Sequence, residues 1–288
     1  MSLVTLKEIL RGTRESGYAV GGFNFNDYED AQGIVDGAVA KNSPVILMAS
    51  VGTVQYIGMR QTVYMAKAMA ESVEIPICLH LDHAEDLDFI KECIQMGFTS
   101  VMIDASRKSY AENIRETAEI TEFAARFGCS VEAELGRVGG KEEQILVGER
   151  EAALTNPDDV PRFVRETGLD ALAIAIGTAH GFYKSEPKLD FTRLEVIAQI
   201  TKVPLVLHGG TGVPAEDLKK AVRLGMSKIN VGTELKATYT HAVSDGLMGL
   251  MGRIDPRKFM GLVKERCSAV VQEKIEIFGS ANRVYEFV

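Results

Sequence analysis

The sequence has no uninterrupted apolar run approaching the ~18 residues that a membrane-spanning helix needs. Its opening decapeptide, MSLVTLKEIL, carries acid and base where a signal peptide would have a long apolar core, so no signal peptide is expected. Cysteine is scarce: Cys78, Cys93, Cys129 and Cys267 are the whole set, and none stand in CxxC spacing. A chain of 288 residues has no need of a disulfide framework, so these read as reduced, buried thiols of a cytoplasmic protein. Positive charge is also in deficit. Lys and Arg total 32 against 40 Asp and Glu, a formal charge of −8. That balance argues against nucleic acid or an anionic membrane as partner, although a local site for an anionic small molecule remains possible. No low-complexity segment, linker or internal repeat divides the chain, so residues 1–288 read as a single domain.

What is present is an alternation. Short apolar runs read as strands at 19–24, 45–50, 77–82, 100–104, 130–134, 171–177, 205–209 and 228–232. Segments with helical periodicity, such as DLDFIKECIQMG and DDVPRFVRETG, lie between them. Thr5 with Glu8 forms a capping box, and Asn156 and Asp255 each precede a proline suited to the first helical position. Eight βα units without a break most simply close into an α/β (β/α)8 TIM barrel, with a doubly wound open sheet as the alternative. A helix over 6–15 and a long helix from Asp255 are extra to the barrel. The first can cap the barrel bottom, and the second either supports oligomerisation or packs on its own barrel.

In a barrel, reactive groups gather at the carboxyl ends of the strands. Those ends here carry Asn24, Ser50, Asp82 with His83, Asp104, Glu132 with Glu134, His180, His208 and Asn230. Four of the five histidines fall at such ends; His241 sits in a helical segment instead. His83, His180 and His208, from three different strands, suit Zn²⁺ with an open coordination position. Strand alternation puts His80 on the same side as Asp82, one pleat deeper, as a supporting residue, with His83 opening the loop that follows. Asp104 and Glu134 can hold a second or alternative divalent ion, or orient the imidazoles. HGGTG (residues 208–212) and NVGTE (230–234) are turns that open helices after strands seven and eight, the usual phosphate position in a barrel. HGFYK adds Gly181 and Lys184. A polar, glycine-containing stretch over 136–149 follows Glu134 and reads as a lid carrying Glu142 and Glu143.

The motifs GGFNFND, HLDHAED, SVMIDAS, VEAELGRVGGKEE, AIGTAHGFYK, VLHGGTGVP, INVGTELK and FGSANR span nearly the whole chain. Together they resemble the class II, zinc-dependent ketose-bisphosphate aldolases, nearest the fructose- and tagatose-bisphosphate group. By that resemblance His83, His180 and His208 hold Zn²⁺, Asp82 exchanges the proton of the C4 oxygen, and Glu142 moves the proton at the carbon nucleophile. Asn230 sits beside the enediolate. Gly181, Gly209, Gly210, Thr211, Val231, Gly232 and Thr233 cradle the phosphate of dihydroxyacetone phosphate, helped by a monovalent cation (Na⁺ or K⁺). Ser50 and Arg283 are candidates for the far phosphate, and a homodimer or homotetramer is expected. Three positions depart from the common pattern: Thr211 replaces serine, Gly232 stands where many fructose-type members carry Asp, and Glu142-Glu143-Gln144 replaces Glu-Asp-Gly. These bear on which ketose is used more than on the reaction. A Schiff-base aldolase, a barrel metallohydrolase and a non-catalytic sugar-phosphate binder are the alternatives. The first needs a lysine inside the barrel, and the lysines read as lying in helices and loops, with Lys228 at the wrong end of its strand.

Overall fold

A computed structural model describes residues 2–142, 145–147, 153–183, 185–249 and 255–284. Eight parallel strands close into a barrel in the spatial order one, eight, seven, six, five, four, three, two. In sequence order they are Val20–Asn24, Val45–Ser50, Ile77–Ala84, Ser100–Ile103, Ser130–Leu135, Ala171–Ile174, Leu205–Leu207 and Met226–Val231. Strand one pairs with strand eight from Val20↔Lys228 to Phe23↔Val231, which seals the sheet and leaves the barrel no edge. The open-sheet alternative is thereby overturned. Every residue of these strands is buried, as expected when helices cover the outside and side chains fill the inside.

The barrel interior is stratified. At the amino-terminal end, Leu6, Ile9, Leu10 and Tyr18 join Val20, Ile46, Cys78, Ala171, Ala173 and Val206 in a closed apolar plug. The chain ahead of strand one therefore caps the bottom, but not as one helix over 6–15. It forms two four-residue helices, Leu6–Ile9 and Thr13–Ser16, because Gly12 takes a left-handed φ of 74° between them. The Thr5–Glu8 capping box starts the first of these. Near residue 156 the expected helix likewise begins as a 3₁₀ turn, Pro157–Asp159, before Val160–Thr167. All four cysteines are free and buried. Among the described residues no helix is long and apolar enough to cross a membrane.

The C-terminal helix, Pro256–Phe278, lies along the helix Tyr28–Ala40 that follows strand one. It buries Val263, Cys267, Val271, Ile275 and Phe278, so it packs on its own barrel. Close approach depends on two glycines four residues apart. A Cβ at Gly33 would stand 2.8 Å from the Lys264 carbonyl, and one at Gly37 2.8 Å from the Ser268 carbonyl. Those carbonyls are backbone and cannot swing aside, so a larger residue must push the helices apart. Gly37→Val is expected to lower stability by about 1–3 kcal/mol. By contrast, Gly261 has open space around it, and Gly261→Ala is expected to add up to about 1 kcal/mol through helix propensity. Urea unfolding of both variants checks the pair of opposite signs.

Candidate active site

The carboxyl end of the third strand departs from simple alternation, and the site depends on that departure. Asp82 pairs with Ser50 in regular register. The ladder to strand four then slips between Leu81 and Ala84, and His83 takes a positive φ of 44°. The strand continues to Ala84, so His83 does not open a loop as expected; it occupies a bulge. A bulge re-aims one side chain, and here it lets two consecutive residues, Asp82 and His83, both serve the rim. A non-glycine residue at positive φ is uncommon and costs free energy, and such strain concentrates where function requires it.

His83 meets the two other predicted histidines. Its ring centroid lies 5.0 Å from that of His180 and 4.6 Å from that of His208. Ligand atoms of the three lie within 4.8 Å of one another, a spacing that one ion can bridge with small side-chain adjustments. His180 arrives on a two-residue strand, Ala179–His180, rather than on strand six itself, which ends at Ile174. That short strand pairs with Gly139–Glu142, so the segment read as a lid is stitched by its backbone to a candidate metal ligand. Gly140 sits opposite His180, and a Cβ there would be 2.2 Å from the His180 carbonyl oxygen.

Two of the three candidate ligands, His83 and His208, are aimed by carboxylates. His83 donates from Nδ1 to Asp104 Oδ2 at 2.8 Å. Burial opposes ionisation of Asp104, but the hydrogen bonds from His83 and Ser106 hold its carboxyl well below the usual range. His208 Nε2 is 2.9 Å from Glu132 Oε1. Its Nδ1 lies 3.3 Å from Glu134 Oε2 without hydrogen-bond geometry. Burial disfavours the His208 imidazolium, but the contacts with Glu132 and Glu134 outweigh it and raise the group to about 9. Asp104 and Glu134 form a second possible cluster with His83. Both already serve other groups: Asp104 holds His83 and the Ser106 amide, and Glu134 Oε1 accepts from the Val138 amide at 3.0 Å.

Beside the histidines, Asn24 donates from Nδ2 to Asp82 Oδ2 at 2.8 Å. Asn24 can reach it because residue 232 has no side chain: a Cβ at Gly232 would stand 2.6 Å from Asn24 Oδ1. Asn24, His180, Gly181, Gly209, Thr211, Asn230, Gly232 and Thr233 line one cleft. Its floor is organised by Tyr183, whose hydroxyl donates to the Gly209 carbonyl and accepts from the Ala179 amide, both at 2.8 Å. Thr211 Oγ1 accepts from the Glu234 amide in the first turn of the helix Thr233–Gly249. Backbone turns at such a helix start favour an anion.

Asp82 Oδ1, Asn24 Oδ1, Asn230 Oδ1, Glu134 Oε2 and His208 Nδ1 are all buried without a hydrogen-bond partner among the described residues. Buried polar atoms are nearly always satisfied, so a cluster of exceptions at one rim marks groups awaiting a ligand. Nitrogen and oxygen donors of this kind, with one side open, fit a divalent zinc-type ion.

The comparisons with known proteins decide the family. The family model described as fructose-bisphosphate aldolase class-II matches residues 4–283. The chain belongs to this family. A fructose-bisphosphate aldolase of Staphylococcus aureus is 43% identical over 286 residues, 98% of this chain and 99% of that protein. One of Geobacillus stearothermophilus is 44% identical over 286 residues, again 98% of this chain and 99% of the relative. Among solved structures, the YdjI aldolase of Escherichia coli K12 matches with a TM-score of 0.86 at 32% identity, covering 98% of this chain and 99% of that one. Membership makes the chain an enzyme, a carbon–carbon lyase of the aldolase type.

As an aldolase, the chain places most of the residues picked from its sequence around one cleft. Ser50 is nearby but committed to its helix: it accepts from the Thr53 amide and contacts the Thr53 hydroxyl. Arg283 is not brought to the site in this chain. It stacks over Tyr18 and donates to the Ser16 carbonyl, at the amino-terminal end of the barrel. Lys184 and Glu143 lie outside the described residues; the backbone of Glu142 is the last residue of the strand Gly139–Glu142.

The sequence reading placed Lys228 wrongly. It is not at a useless strand end but fully buried inside the barrel, with Nζ 2.8 Å from Glu132 Oε2. Glu132 was placed with Glu134 at the end of strand five but given no role, and alternation could have paired it with Lys228. Lys228 stands two residues before Asn230, and Glu132 two before Glu134, so each shares the inward side of its strand. The Asp104 contact carries a test. Asp104→Asn keeps an acceptor for His83 but removes the charge, and zinc affinity is expected to fall about 10- to 100-fold in competition with a chelating indicator.

Proposed function

We propose that this enzyme reversibly cleaves a phosphorylated ketose of the fructose- or tagatose-1,6-bisphosphate type into dihydroxyacetone phosphate and an aldehyde such as glyceraldehyde 3-phosphate. The observation that carries this reading is the meeting of His83, His180 and His208 beside Asp82, whose Oδ1 is buried and unpartnered. The three histidines would hold Zn²⁺, which when bound supplies Lewis acidity to the ketose carbonyl. Asp82 takes the proton of the C4 hydroxyl as the C3–C4 bond breaks. Asn24 fixes the carboxylate through its other oxygen, so Oδ1 is the one presented to substrate. Glu142 would return a proton to the carbon nucleophile; its backbone belongs to the strand that pairs with Ala179–His180. Asn230 offers its amide to the enediolate side of the cleft.

Gly181, Gly209, Gly210, Thr211, Val231, Gly232 and Thr233 would form the phosphate cradle, with Na⁺ or K⁺ as counter-ion and Lys184, outside the described residues, as a further candidate. The enzyme acts as one domain over residues 1–288, in the cytoplasm, as a homodimer or homotetramer. Ser50 and Arg283 remain candidates for the far phosphate. Arg283 could serve it only in an assembly, because within one chain it sits at the opposite end of the barrel.

The Schiff-base alternative loses its ground for a new reason. Lys228 is inside the barrel, but it is wholly buried and held by Glu132 beneath the histidines, so it presents no amine to the cleft. Chelator treatment is expected to abolish ketose cleavage, with Zn²⁺ or Co²⁺ restoring it; full activity of metal-stripped protein would sink the reading. Asp82→Ala is expected to lose about 10²- to 10⁴-fold in kcat while retaining its metal. A panel of ketose mono- and bisphosphates, scored for triose phosphate and for free phosphate, identifies the substrate. Phosphate release without triose would point to the metallohydrolase, and no turnover at all to a binding protein.

A further inference from the structure

One layer below the histidines, the barrel is filled by charge. Lys228 from strand eight, Glu132 from strand five, His80 from strand three and Ser100 from strand four are all fully buried there. Barrel interiors are usually packed with branched apolar side chains. A buried ion pair is also a poor means of stabilisation, since apolar replacements of equal volume are often as stable or more so. The layer therefore calls for a reason other than folding.

We infer that Lys228 is a positioning residue of the metal centre, acting through Glu132 to hold the His208 ring with Nδ1 turned toward His83 and His180. The inference rests on the three-histidine metal reading above. Glu132 has two oxygens and divides them: Oε1 faces His208 Nε2 at 2.9 Å, and Oε2 accepts from Lys228 Nζ at 2.8 Å. A carboxylate on Nε2 selects the tautomer with its proton there, which leaves the Nδ1 lone pair for the ion. Both ends of the His208 ring are thus assigned, and Nδ1 is the nitrogen that has no hydrogen bond among the described residues.

Lys228 is what keeps Glu132 from an alternative partner. His80 Nε2 stands 3.7 Å from the same Oε2 and makes no hydrogen bond, while its Nδ1 is anchored 2.7 Å from Ser100 Oγ. Without the ammonium group, His80 Nε2 at 3.7 Å is a donor within reach of Oε2, and a carboxylate rotating toward it withdraws Oε1 from His208. Lys228 does not line the substrate cleft, so it exerts its effect through these contacts alone.

The test uses Lys228→Met and the double variant Lys228→Met with Glu132→Gln, which removes both charges and leaves no unpaired buried carboxylate. Zinc affinity is read by competition with a chelating indicator, and coordination by the visible spectrum of the cobalt-loaded protein. Both variants are expected to bind zinc about 10- to 100-fold more weakly, with an altered cobalt spectrum, while KM for ketose at saturating zinc stays unchanged. The double variant is expected to recover the thermal stability that the single variant loses. Wild-type affinity and spectrum in the folded double variant would overturn the inference.

Should neither variant fold, the wild-type protein decides. With ¹⁵N-labelled histidine, adding zinc is expected to shift His208 Nδ1 while Nε2 keeps its proton; coordination through Nε2 would overturn the inference. These readouts need no ketose. A protein that binds zinc in this way yet cleaves nothing would leave the inference standing and remove the aldolase reading.

Discussion

Everything in this molecule follows from the pairing of the first strand with the eighth. Val20–Phe23 lies beside Lys228–Val231, and with that contact the sheet closes. Eight parallel strands then deliver their carboxyl ends to a single rim. Residues as far apart in sequence as Asn24, Asp82, His180, His208 and Asn230 become neighbours without any of them contacting another locally. Closure also seals the inside from water, so each polar group there has to find a partner or a ligand. The apolar plug under the barrel and the clamp of the C-terminal helix on Tyr28–Ala40 protect this arrangement from the two ends of the chain.

Inside the closed sheet the polar groups are layered by what they can reach. The lower layer is held together by the ion pair of Lys228 with Glu132, although His80 Nε2 keeps no hydrogen-bond partner among the described residues. Burial opposes ionisation of Glu132, but the Lys228 ammonium and the contact with His208 hold it far below the usual carboxylate range. Burial, with Lys228 next, keeps His80 well below its ordinary value, so it sits there neutral. The upper layer is left open. There Asp82, Asn24, Asn230, Glu134 and His208 each keep one atom without a partner among the described residues. A rigid lower layer supporting an unsatisfied upper one is what a site needs if its ligand is to be held in one geometry.

Much of this was legible from residue types and spacing. The strand runs, the capping residues and the collection of histidines at strand ends led to the barrel and to His83, His180 and His208. Alternation placed His80 beneath Asp82, where it is found. The misreadings have local physical causes. Gly12 broke a helix that periodicity alone continued. Lys228 was set aside as standing at the wrong end of its strand, and only a buried counter-charge three strands away in chain order makes a lysine tolerable in the barrel interior.

The sequence by itself determined the class of fold, the rim on which reactive groups stand and the identity of the three imidazoles, because each is encoded in short-range pattern. Tertiary structure alone decided how they are aimed. The bulge at His83 turns a second consecutive side chain inward. Gly232 makes room for Asn24 to reach Asp82. Glu132 spans the barrel from His208 to Lys228. These are distances between strands remote in sequence, set by register and by curvature on closing, and no local pattern carries them.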